Sequence, residues 1–149
     1  TDKGWRRSIY ILQRRTQLAT ILTTFDLPQM GPNCIARTQS TVAPQALHLM
    51  NNQMIHDLSQ NFARRAIEQT GEQVSEEERV DRQIEWIYLA AYAHHPTPQQ
   101  MIVGREAIQM LLSAWRRDLP ADQKSESLEK AMGNYCHAIM NSAALLYVQ

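Results

Sequence analysis

The sequence contains no run of 18 apolar residues, so it offers no ordinary membrane-spanning helix. It has two cysteines, Cys34 and Cys136, too few for a disulfide framework. A single bridge between them stays open; buried thiols acting as small hydrophobes are the favoured alternative. Five scattered glycines supply no phosphate-cradling loop. No G-x-S-x-G elbow, H-E-x-x-H helix or C-x-x-C-H haem-attachment motif is present. Charge of one sign is also missing as a global feature. Lys plus Arg and Asp plus Glu number 15 each, which gives no overall steering toward nucleic acid or anionic membranes. The first 15 residues are lopsided, with Lys3, Arg6, Arg7, Arg14 and Arg15 against Asp2. Such a run most often forms a solvated face.

What is present is helical periodicity. At 149 residues and 44% hydrophobic, the chain can bury about 68–70% of its unfolded surface. WRRSIYIL (5–12) is rich in aromatic and β-branched residues and predicts a short strand or extended arm. Leu18, Ile21, Leu22 and Phe25 allow a short helix, which the prolines and glycine of DLPQMGPN then end. Pro44 suits a first helical position, and the residue before it, Ala43, is pushed away from helical dihedrals. Leu47, Met50, Met54, Leu58, Phe62 and Ala66 follow at three- and four-residue steps. One long helix is therefore predicted from Pro44 to Thr70, before Gly71, with Ser40 and Thr41 placed to satisfy its free N–H groups.

Ser75 followed by three glutamates predicts a third helix, its buried stripe Val80, Ile84, Ile87, Tyr88 and Ala91. Thr97, Pro98 and Gln100 form a capping box for a fourth, lined by Met101, Ile108, Leu111, Leu112 and Trp115. The short HHPTP connection predicts an antiparallel hairpin between the two. A last helix is predicted from Ser125 to Leu146, buried through Leu128, Met132, Tyr135, Cys136, Ile139, Met140 and Ala143. The expected fold is an all-α bundle of about four main helices with an extended N-terminal arm. Residues 1–40 form the arm and loop, and 44–147 the helices, of a single helical domain.

Candidate chemistry is sparse. His48, Asn52 and His56 recur every four residues on the predicted long helix. However, two turns separate the histidines by about 12 Å, too far for one ion bonded at about 2 Å to each. They are assigned to a polar helix face. His94 and His95 are expected to be exposed in their turn. Cys136 and His137 are neighbours and point about 100° apart on a helix. No metal and no haem is expected in this chain. The candidate polar cluster is Asp26, Arg37, Ser40 and Thr41, beside the start of the long helix. Arg37 there either clamps Asp26 and loop carbonyls or binds an anion. No catalytic residue is assigned.

Several blocks occur in a characteristic order: RRSIYILQRRT, TTFDLP, RTQSTVAPQALHLMNNQMI, AHHPTPQQ and YCHAIMNSAALLYV. This order resembles the C-terminal part of the planctomycete domain of unknown function 1553, over Trp5 to Val148. His94 or His95 stands where that family commonly has an arginine before the turn. The resemblance implies a large exported bacterial protein, located in the periplasm or at the cell surface. It also implies company with a cytochrome-c-like domain elsewhere in the parent, which leaves room for a c-type haem there. It carries over no catalytic residue. The function expected is a non-catalytic structural or interaction module whose partners are the parent's other domains, with no nucleic acid and no membrane span. The alternatives are a share in an enzymatic or redox site completed by the parent, and carbohydrate binding through exposed aromatics.

Overall fold

The computed structural model describes Thr24 and Phe25, residues 42–71 and residues 75–146. The predicted N-terminal strand or arm and the caps at Ser40 and Thr41 lie outside the described residues. Among those described, the fold is all-α and no strand occurs. The chain divides into two compact units, Thr1–Leu49 and Met50–Gln149. In the first, Gln45 is buried and its Nε2 donates to the Thr24 carbonyl at 3.2 Å.

The long helix predicted from Pro44 to Thr70 is two helices, α1 (Val42–Asn51) and α2 (Gln53–Thr70). Pro44 is the third helical residue rather than the first, and Ala43 is helical despite the proline after it. The first turn of a helix has no intrahelical partner for its N–H groups, so a proline there removes no bond. The interruption is Asn52, at φ −84° and ψ 120°. Its side-chain oxygen accepts from Met54 N at 2.9 Å while its carbonyl accepts from His56 N at 3.1 Å. Asparagine offers the backbone this alternative partner and so restarts a helix where apolar spacing alone would continue one.

The buried face of α2 also differs from the predicted stripe. Leu47 and Met50 of α1 are each 59% exposed. In α2 the buried residues are Ser59, Ala63, Ala66 and Thr70. Small side chains occupy the seam, and the larger Leu58 and Phe62 flank it half-buried.

α3 (Glu76–Tyr92) and α4 (Pro98–Asp118) follow the sequence closely. Ser75 accepts from Glu78 N at 3.3 Å. Thr97 N donates to Gln100 Oε1 at 2.8 Å, and Gln100 N to Thr97 Oγ1 at 3.3 Å, which completes the capping box. Ala93 ends α3 in the left-handed region, φ 58°, and its N–H donates to the Leu89 carbonyl. The hairpin is antiparallel: Asp81 pairs with Arg105, and Glu76 lies 3.9 Å from Arg116.

After a 3-10 segment, Ala121–Glu126, α5 (Ser127–Met140) runs through the centre of the unit. It ends six residues earlier than predicted, and α6 (Ala143–Leu146) is separate, with Ala143 exposed. Asn141 Nδ2 donates to the His137 carbonyl at 2.7 Å, and Ser142 N donates to Ile139 O at 3.1 Å. Side-chain and tight-turn bonds here replace the next turn of α-helix. The core joins Ala63 and Ala66 of α2, Ile84, Ile87 and Tyr88 of α3, Ile108 of α4, and Met132, Tyr135, Cys136 and Ile139 of α5. None of the described helices is long and apolar enough to cross a membrane.

Candidate functional site

α2 and α5 pack antiparallel in a simple register. Arg64 pairs with Glu129, Nη2 to Oε1 at 3.1 Å. One turn earlier in α2, the Gln60 amide lies over Gly133, where a Cβ would stand 2.3 Å from it. Another turn earlier, the rings of His56 and His137 meet with centroids 5.9 Å apart. Each step of four along α2 is a step back of four along α5. The small seam of α2 and the missing side chain at Gly133 let the two backbones approach, and that closeness brings the imidazoles together.

The surroundings of His137 are polar but incompletely paired. His137 Nε2 and Asn141 Oδ1 are buried atoms with no hydrogen-bond partner. Asn141 Nδ2 is fixed on the His137 carbonyl, and a carbonyl only accepts, so the orphaned atom of Asn141 must be its oxygen. His56 itself is exposed. Neighbouring Cys136 turns the other way into the core as a fully buried free thiol, and burial pushes it up to about 12.

A second polar feature closes the end of the bundle at the α3–α4 turn. Burial, then the nearby Tyr88 with its hydrogen bond, raises the Tyr135 hydroxyl far above the ordinary range. Tyr88 is raised by burial and by Tyr92, with the bond from Tyr135 opposing. Tyr92 and Ser142 share a hydroxyl hydrogen bond of 2.7 Å, and His94 stacks on the Tyr92 ring at 5.7 Å. The Tyr88–Tyr135 pair is buried and the Tyr92–Ser142 pair half-buried, an arrangement that fastens helix ends rather than activating a nucleophile. His94 and His95 are exposed, as their turn position indicates.

Three large apolar side chains stand exposed on the outward face of α4, interleaved with the exposed Gln99, Glu106 and Ser113. Ile102, Val103 and Met110 are 51%, 55% and 70% exposed, opposite the buried Gly104 and Ile108. The two tryptophans among the described residues, Trp86 and Trp115, present a different picture. Arg65 lies over Trp86 at 5.8 Å and Lys130 over Trp115 at 5.7 Å, and Phe62 tilts against Trp86. These covered rings offer no open stacking platform.

Of the residues singled out from sequence, Asp26, Arg37, Ser40 and Thr41 lie outside the described residues, as does Cys34. The break at Asn52 removes the continuous helix on which His48, Asn52 and His56 shared a face. The pairing of His56 with His137 was invisible in sequence because it depends on the register between two helices 81 positions apart. Among the described residues, no three His, Cys, Asp or Glu side chains gather as metal ligands do.

No curated protein and no solved structure shows significant similarity to the chain. A family model described as a protein of unknown function, DUF1553, matches residues 1–108. The matched span takes in the RTQSTVAPQALHLMNNQM block, the HHPTP turn and the first half of α4, while α5 lies past it. On a match over well more than half its length, the chain belongs to the DUF1553 family.

Proposed function

We propose that this chain is a non-catalytic packing and interaction module of a larger exported bacterial protein, and that the outer face of α4 contacts another domain of that protein. The observation that carries this reading is the exposure of Ile102, Val103 and Met110 on one helix face. Apolar side chains grouped on a surface favour burial against a partner, at about 25 cal/mol for each Å² removed from water. The buried Tyr135 hydroxyl and the cation-covered Trp86 and Trp115 support a scaffold role, because they fix helices and those two rings are not open platforms for a sugar. The exported setting and the haem-bearing companion domain rest on the family resemblance.

Methionine footprinting tests the interface. Met110 is the reporter and the fully buried Met132 the internal reference. In the 149-residue chain Met110 should oxidise readily to the sulfoxide, and in the longer protein it should be protected. Val103→Glu and Met110→Glu together should loosen the longer protein's domain packing without unfolding this chain. Equal oxidation of Met110 in the two proteins refutes the interface.

A further inference from the structure

We propose that His56, His137 and the amide oxygen of Asn141 form a binding site for one divalent transition-metal ion, of the class that favours imidazole: Cu²⁺, Ni²⁺ or Zn²⁺. The proposal runs against the expectation drawn from spacing along one helix. It rests on a juxtaposition that only packing creates.

The geometry is close to what such an ion needs. With a metal–nitrogen bond of about 2.1 Å, each ring centre stands roughly 3.2 Å from the ion, so two ligating rings lie about 4.5–5.2 Å apart. The observed centroid separation is 5.9 Å. The difference is a small inward rotation of His56, which is exposed and free to make it. His137 contributes a buried Nε2 without a hydrogen-bond partner. A neutral imidazole keeps a lone pair on one ring nitrogen, and that lone pair is what a metal takes. Asn141 caps α5 four residues beyond His137, and its Nδ2 on the His137 carbonyl folds its side chain back toward that end of the helix. Its Oδ1 is likewise buried and without a partner. An ion between these atoms would satisfy both orphaned groups at once, and buried polar atoms without partners are costly.

The donor set also selects. Two imidazoles and one amide oxygen suit copper, nickel and zinc, whereas calcium and magnesium demand shells of oxygen. The site brings no carboxylate and no thiolate, since Cys136 faces the core. Its natural role would be a clasp that locks the C-terminal end of α5 to the start of α2.

Titration of the 149-residue chain with Cu²⁺, Ni²⁺, Zn²⁺ and Mg²⁺, free of chelators, tests the site. One ion per chain is expected, tightest for Cu²⁺ and absent for Mg²⁺, with a rise in the urea midpoint on binding. His56→Ala changes an exposed residue, so it should leave the fold intact while lowering affinity at least tenfold. His94→Ala with His95→Ala should leave affinity unchanged. Asn141→Ala should weaken binding severalfold; unchanged affinity there overturns the amide donor. No bound ion, or an ion whose affinity survives His56→Ala, overturns the site.

Discussion

Replacing Gly104 with alanine should destabilise the protein, although alanine is the better helix former. Gly104 is buried in the middle of α4. A Cβ added there would stand 2.9 Å from the Tyr135 hydroxyl oxygen and 3.1 Å from Ile84 Cδ1. Neither neighbour yields easily. Tyr135 is a buried, rigid ring whose hydroxyl is hydrogen-bonded to Tyr88, and Ile84 is fully enclosed. Helix propensity alone favours alanine by about 1 kcal/mol. Overpacking a close-fitting core costs about 1–3 kcal/mol. Pushing the Tyr135 hydroxyl off Tyr88 adds about 1 kcal/mol for a disturbed buried hydrogen bond. The net expectation is a loss of about 1–3 kcal/mol, read as a lower urea midpoint at unchanged slope. Tyr135→Phe removes the offending oxygen, so Gly104→Ala should cost clearly less in that background, a coupling that a double-mutant cycle measures. Gly133→Ala is the contrasting case. The atoms nearest its Cβ would be the amide head of Gln60, the far end of a flexible side chain that can swing aside, so the change should be nearly neutral. A Gly104→Ala variant more stable than the parent by about 1 kcal/mol would show that the contact with Tyr135 is not enforced.

Ala93 is exposed at φ 58°, and a left-handed conformation costs a residue with a Cβ about 1–2 kcal/mol. Ala93→Gly should therefore raise the thermal midpoint, by an amount reduced to about 0.5–1 kcal/mol because glycine gains entropy when unfolded. A lower midpoint would refute the cap. Burial raises Cys136 to about 12, and Tyr88 and Tyr135 are raised too. The unfolded chain thus releases these protons first, so their contribution is complete below about pH 9 and is lost as pH rises through the folded values. Urea midpoints should fall above about pH 9, less steeply in Tyr135→Phe, and a flat profile to pH 11 would contradict the burial.

Sequence pattern recovered the parts of the fold that local chemistry dictates. Ser75, Thr97 and Gln100 cap the helices they announce, and the inward stripe of α3 is the one its spacing gives. Two helix ends were missed because side-chain competition at Asn52 and Asn141 has no signature in apolar periodicity. The seam of α2 was misread for a different reason. Periodicity weights large side chains, whereas close approach of α2 to α5 is achieved by Ser59, Ala63 and Ala66. The candidate site shows the same limit. His56 and His137 stand out in the sequence and Asn141 does not, and the meeting of the two rings follows from inter-helix register, which no spacing within a helix encodes.

The α2–α5 seam has a consequence for how this chain can vary. Where helices meet through leucines, substitutions can shrink or reshape side chains and the gap can partly close. Here the contact surfaces of α2 are already near the lower limit of side-chain size, at Ala63 and Ala66. Nearly every accessible replacement adds volume, so drift at these positions pushes in one direction: apart. Separation of the two helices is also the motion that parts His56 from His137. The tolerance of the tightest seam and the span between the imidazoles are therefore one variable, and a sequence that widens the first loses the second.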